Sequence, residues 1–237
     1  MAKRGKTNHL KRIAVPPAVP IHDKKANVWM TNSDPGPHSK SGSIPLSVFM
    51  RDVLKIVKTA GEAKTVLYEK NVFVDGKCRT NPKFPVGLMD VVSFPSVDKY
   101  YRIVVDWKGR LIPREITKTE SVKKILKVTG KRTVPGGKIG VKLHDGRTMI
   151  ADNHLKVGDS VSINLPEGKL ENNLKLEKGA TCLIREGNHA GVVAVLDEII
   201  ERKVGTPNEA RLKTSKGDFI TVAKYLVVVD KDFKVIE

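Results

Sequence analysis

Two places in this chain have residue types that suggest reactive chemistry. His144 and His154 flank a turn, with Asp145 and Asp152 beside them, which are the groups of a metal or acid–base site. The six histidines (His9, His22, His38, His144, His154 and His189) do not recur at metal-ligand spacing. Asp-Gly beside a histidine is ordinary turn chemistry. Gly136-Gly137-Lys138 has the composition of a phosphate loop, but its spacing fails. Counting from Gly130, Pro135 stands where the second glycine belongs, and Ile139 follows the lysine in place of Ser or Thr. The segment reads as a flexible basic β-turn. Neither Gly-x-Ser-x-Gly nor Gly-x-Gly-x-x-Gly occurs. No nucleophile or general base is named, so the expectation is a non-enzyme with no metal and no cofactor.

What remains is cationic chemistry, and it is unevenly spread. The 237 residues hold 43 Lys+Arg against 26 Asp+Glu, a net charge of +17. Residues 1–42 carry a net +6, 43–100 a net +3, 101–174 a net +7 and 175–237 a net +1. Such an excess makes a compact chain repel itself unless a polyanion offsets it. The partner expected is nucleic acid held largely through phosphates. Aromatic residues are only 5% of the chain, which favours structured RNA or DNA read through backbone and shape over single strands read by stacking.

Composition narrows the setting. At 40% apolar the chain can bury real cores, but no apolar run approaches the roughly 18 residues of a membrane span. No membrane partner is expected, since only one short basic amphipathic helix is in sight. Met1–Lys6 has a basic start without an apolar stretch, so it does not read as a secretory signal. Cys78 and Cys182 lie far apart, with no Cys-x-x-Cys, which fits a reducing compartment. Nothing in the sequence points to a homo-oligomer.

Four regions position the charges. Residues 1–42 read as an extended basic arm, because Pro16, Pro17, Pro20, Pro35 and Pro37 forbid regular helix. The arm holds Lys3, Arg4, Lys6, Lys11 and Arg12 as candidate RNA contacts, and its removal is expected to leave the globular part folded. In 43–100, the spacing of Phe49, Val53 and Val57 predicts a helix over 45–58, with Arg51, Lys55 and Lys58 on its outer face. Glu62–Lys70 reads as a second helix. Asp75-Gly76 predicts a type I′ hairpin turn that sets Lys77 and Arg79 beside the helices.

Residues 101–174 read as a β-rich, barrel-like domain. Within it, 121–128 is either a short helix or an irregular basic segment. Its densest charge is Lys123, Lys124, Lys127, Lys131, Arg132 and Lys138, and Arg147 completes the candidate set. Residues 175–237 look like a second small β unit that is nearly neutral. The expected class is α+β, mostly β.

Several blocks then resemble one family in order along the chain. His9-Leu-Lys11-Arg12-Ile13-Ala14-x-Pro16 resembles the N-terminal signature of the archaeal and eukaryotic small-subunit ribosomal protein S4e family. Gly36-Pro37-His38 before a Pro-Leu helix resembles its next block. Asp75-Gly76-Lys77-x-Arg79-Thr80 and Pro85-x-Gly87-x-Met89-Asp90-Val91-Val92-Ser93 resemble its S4-type RNA-binding domain, in which two helices pack on a hairpin. His144-Asp145-x-Arg147-Thr148 and Leu155-Lys156-Val157-x-Asp159-Ser160 resemble its central domain, and Gly179–Leu196 resembles a KOW motif in an SH3-like barrel.

The sequence departs from that pattern in two places. Pro17-Ala18-Val19-Pro20 stands where the family usually has Trp or Tyr, and Val192 and Ala194 replace an often basic residue and a Gly of the KOW motif. The chain lacks a long basic C-terminal tail, which looks more like the archaeal branch. The resemblance implies a non-catalytic protein of the cytoplasmic ribosome. Its partners would be small-subunit ribosomal RNA and neighbouring small-subunit proteins. An RNA-modifying enzyme and a transcription or translation factor that cycles on and off are the readings it displaces.

Overall fold

The structure, a computed structural model, describes residues 9–151, 153–202, 205–214, 217–230 and 233. Among these it is mostly β, with two helices and several sheets.

The first region is not the extended arm that its prolines suggested. Strands β1 (Leu10–Lys11) and β2 (Trp29–Met30) pair antiparallel. Between and within them, Val15, Val19, Ile21 and Met30 turn inward and join the largest core. The prolines exclude helix, but the aliphatic residues among them supply an apolar underside. The Leu111 amide donates to the Ala18 carbonyl at 2.7 Å, tying this segment to a strand far along the chain.

Next come β3 (Ser43–Pro45) and α1 (Leu46–Val48), which winds on as a π-helix over Phe49–Val53. The expected helix over 45–58 therefore ends early. The Leu54 amide reaches the Phe49 carbonyl at 2.9 Å and the Ile56 amide reaches Met50 at 3.0 Å, so the backbone is wider than an α-helix. Lys55 then enters the left-handed region at φ 56° and stops it. Arg51, Lys55 and Lys58 thus do not share one α-helical face. Helix α2 (Ala60–Tyr68) starts with a capping box: Thr59 Oγ1 accepts from the Glu62 amide, and the Glu62 carboxylate accepts from the Thr59 amide.

Strands β4 (Phe73–Val74) and β5 (Lys77–Cys78) form the expected hairpin. Asp75 and Gly76 both have positive φ, 52° and 72°, as a type I′ turn requires. Strand β6 (Pro85–Gly87) pairs with β3. Strands β7 (Val91–Phe94), β8 (Lys99–Val105) and β9 (Leu111–Glu115) complete a sheet of order β5-β4-β7-β8-β9. This sheet runs past residue 100, where composition placed a boundary, because Ile103, Val104, Val105 and Leu111 bury into the same core as Phe49 and Leu67.

Strands β10 (Lys123–Val134), β11 (Lys138–Leu143), β12 (Thr148–Ala151), β13 (Ser160–Asn164) and β14 (Lys169–Leu174) form a second sheet, ordered β12-β11-β10-β13-β14. The segment 121–128 is neither helical nor irregular: a single 3-10 turn at Glu120–Val122 leads straight into β10. Residues Lys124 to Val128 are buried consecutively, as in a strand covered on both faces. Gly136 and Gly137 make the tight turn between β10 and β11, as read from the sequence.

The last region is a sheet of β15 (Thr181–Ile184), β16 (Val193–Ile200), β17 (Glu209–Thr214), β18 (Gly217–Val222) and β19 (Leu226–Val228). Its order is β18-β17-β16-β15-β19, around a core of its own that includes Cys182, Ile184, Leu196, Leu212 and Leu226. The sequence reading did not anticipate β17.

Candidate nucleic-acid interface

The candidate basic residues divide sharply by burial. Lys124 has 0% exposure. Its ammonium lies 2.6 Å from Asp75, 2.6 Å from Asp90 and 3.5 Å from Asp145. Arg147 closes the group from the rim, 2.6 Å from Asp75 and 3.0 Å from Asp145. His38 Nε2 sits 2.9 Å from the Asp90 carboxylate. Both Asp-Gly turns therefore aim a carboxylate at one lysine. The spare carboxylate oxygens accept backbone amides, Val91 on Asp75 and Gly87 on Asp90. Close approach matters here, because a Cβ on Gly87 would meet the His38 ring at 2.4 Å. Lys124, expected on an RNA surface, instead ties strand β10 to Asp75 and Asp90 of the preceding region.

The electrostatics follow from burial opposed by pairing. Burial alone would raise the Asp90 carboxyl, but the charges of Lys124 and His38 outweigh it and hold Asp90 well below the usual range. Asp75 is pushed upward, first by burial and then by the Asp90 charge. Burial disfavours the Lys124 ammonium, yet Asp90, Asp75 and Asp145 together keep it charged and raise its pKa. Beside them, His144 Nδ1 accepts from the Lys127 amide at 3.1 Å, and Nε2–H points at the Leu88 carbonyl at 3.2 Å. Burial and the nearby Lys124 charge lower His144 to about 4, so the ring is neutral and structural. Among the described residues, no His, Cys, Asp or Glu group is placed to hold a metal.

Lys127 is likewise removed from the surface. Its ammonium reaches the carbonyls of Lys224 at 2.8 Å and Leu226 at 2.5 Å, fastening the second sheet to the third. Burial and the Arg185 charge lower its pKa to about 8. Both lysines were expected to contact RNA, and both are spent on internal contacts.

The remaining candidates are placed as follows. Lys3, Arg4 and Lys6 lie outside the described residues. Lys11, Lys55, Lys58, Lys77, Lys123, Arg132 and Lys138 are exposed. Lys123 pairs with Glu171 at 3.0 Å. Arg12 donates to the Asp23 carbonyl at 2.6 Å, Lys131 to the Asn153 carbonyl at 3.0 Å, and Arg51 is held by Asp52 at 2.8 Å. On the β10–β11 hairpin, Arg132 lies opposite Gly140 and Gly130 opposite Lys142. Arg132, Lys138 and Lys142 therefore share one face, since alternate residues of paired strands point the same way. None of the three has a carboxylate partner among the described residues.

Two clefts collect further candidates. The first, about 350 Å³, has Lys77, Arg79 and Arg147 on its walls with Asp75, Asp90 and Asp145 between them. The Arg79 guanidinium lies 4.5 Å over the Phe84 ring. The second, about 410 Å³, lies between Trp29, Arg51, Lys64 and Lys83, and among the described residues no carboxylate lines it. Lys64, Lys83 and Lys142 were missed in the sequence. Strand alternation would have found Lys142 once β10 was recognised. Lys64 and Lys83 approach each other only through the fold.

Comparison with known proteins agrees with this architecture. The description "Ribosomal family S4e" matches residues 97–170, and an "RS4NT (NUC023) domain" matches residues 4–41. A small ribosomal subunit protein eS4 of Methanosphaera stadtmanae is 42% identical over 100% of this chain and 98% of its own length. The eS4 of Methanothermobacter thermautotrophicus is 37% identical over 100% and 98%. The crystal structure of the 30S ribosomal protein S4e from Thermoplasma acidophilum superposes with a TM-score of 0.70 at 32% identity, covering 81% of this chain and 96% of that one. This chain belongs to the ribosomal S4e family, in its archaeal branch, a family of structural proteins and not of enzymes.

Proposed function

We propose that this chain is a structural component of the small ribosomal subunit in the cytoplasm and binds ribosomal RNA mainly through phosphate contacts. The observation that carries the reading is the face of the β10–β11 hairpin. Arg132, Lys138 and Lys142 stand there with no acidic partner among the described residues, while three aspartates are turned inward around Lys124. Unpaired exposed cations recover their interaction only from an external anion. Lys11, Lys55, Lys58, Lys77, Lys123 and the half-exposed Arg12, Arg51, Arg79, Lys131 and Arg147 extend the surface, with Lys3, Arg4 and Lys6 beyond the described segment.

In this reading residues 43–115 act as the S4-type RNA-binding unit, and residues 175–237 as a KOW-like barrel. That barrel carries a net charge of only +1, which suits a neighbouring protein better than RNA. Sedimentation of tagged protein with small subunits tests the role. The expected result is one copy per subunit retained through sedimentation at physiological salt. A substoichiometric copy that washes off would mark a cycling factor instead.

A further inference from the structure

We propose that the groove beneath Trp29 is a stacking subsite for one unpaired nucleotide of the bound RNA, an inference that rests on the RNA-binding reading above. Trp29 is 58% exposed although its strand neighbour Met30 is buried. Strand alternation explains the difference: Met30 enters the core and Trp29 faces out. The Trp29 ring is flanked by His9, with centroids 5.5 Å apart and planes tilted by 53°. It lines the groove of about 410 Å³ together with Lys64 of α2 and Lys83. Both lysines are exposed and without a carboxylate partner among the described residues.

Ser47, also on this groove, supplies an independent observation. It is 5% exposed, and its hydroxyl makes no hydrogen bond among the described residues. A buried hydroxyl left unmade costs on the order of 1–3 kcal/mol, so the site lacks a polar partner.

These features match the parts of one nucleotide. A base presents a face for Trp29, its edge or ribose offers a hydrogen bond to Ser47, and its phosphate answers Lys64 and Lys83. The other cleft is less suited, because three aspartates lie in it. Trp107 is less suited too, since the ammonium of Lys108 covers its ring at 4.3 Å.

The test uses the full chain and small-subunit ribosomal RNA. Trp29→Ala is expected to weaken binding about 5- to 150-fold, the range for loss of one stacked base. The slope of log affinity against log salt should stay unchanged. Trp29→Phe should recover most of the affinity, and Trp107→Ala should lose none. Replacing Lys64 and Lys83 by Gln should instead lower the slope by roughly two contacts' worth. Unchanged affinity in Trp29→Ala overturns the proposal and leaves RNA binding standing, whereas a wild-type chain that does not bind the RNA overturns the broader reading. Should Trp29→Ala lower the thermal midpoint, the Trp107→Phe protein decides: Trp29 emission is expected to be quenched at RNA saturation, and unquenched emission overturns the proposal.

Discussion

Lys123 and Lys124 are adjacent lysines with opposite tasks. Lys123 is exposed and pairs with Glu171 near the surface, where such a pair contributes about 0–1 kcal/mol. Lys124 is enclosed by Asp75, Asp90 and Asp145, and removing its charge would leave three buried carboxylates with only Arg147 at the rim and His38 against them. Breaking a buried pair in this way costs about 3–5 kcal/mol. Lys124→Met is therefore expected to lower stability by that order in urea unfolding, while Lys123→Met stays within about 1 kcal/mol. Equal effects would mean the cluster is not what joins the regions. Sequence alone could not separate the two lysines, because the partners of Lys124 lie 49, 34 and 21 residues away. The Asp-Gly turns were legible as turns; their shared target was not.

At the scale of elements, local signals were read best where the chemistry is local. The Asp75-Gly76 hairpin and the Thr59/Glu62 start of α2 are both settled within a few residues. The helix over 45–58 was misjudged because its apolar spacing continues past the point where the backbone widens and Lys55 turns left-handed. Strand β10 was misjudged because lysines at 124 and 127 hide a strand buried on both faces.

The first 42 residues were misjudged most consequentially. Their prolines suggested a removable arm, yet Val15, Val19, Ile21 and Met30 are core residues. Losing the burial of four such side chains against the core forfeits roughly 1.5–3 kcal/mol each, which together rivals a whole domain's stability of about 5–15 kcal/mol. Deleting residues 1–42 is thus expected to abolish cooperative thermal unfolding. A truncated chain that melts cooperatively near the wild-type midpoint would show that the segment merely rests on the surface.

For the whole molecule, the net charge of +17 pointed to a polyanion before any element was placed. The fold refines where that charge is available. Lys124 and Lys127 are withdrawn to fasten β10 to the sheets on either side, and Arg132, Lys138 and Lys142 are presented on the hairpin that the same strand extends. One strand therefore serves first as an internal tie and then as a basic surface. The measurement that tests this account most directly is the salt dependence of full-chain binding to small-subunit ribosomal RNA. With about 6–10 phosphate contacts, affinity is expected to fall by roughly 10³–10⁵ between 50 and 200 mM salt, and replacing Arg132, Lys138 and Lys142 by Gln should flatten the slope. An affinity that barely changes across that range, or a slope indifferent to those three residues, would contradict it.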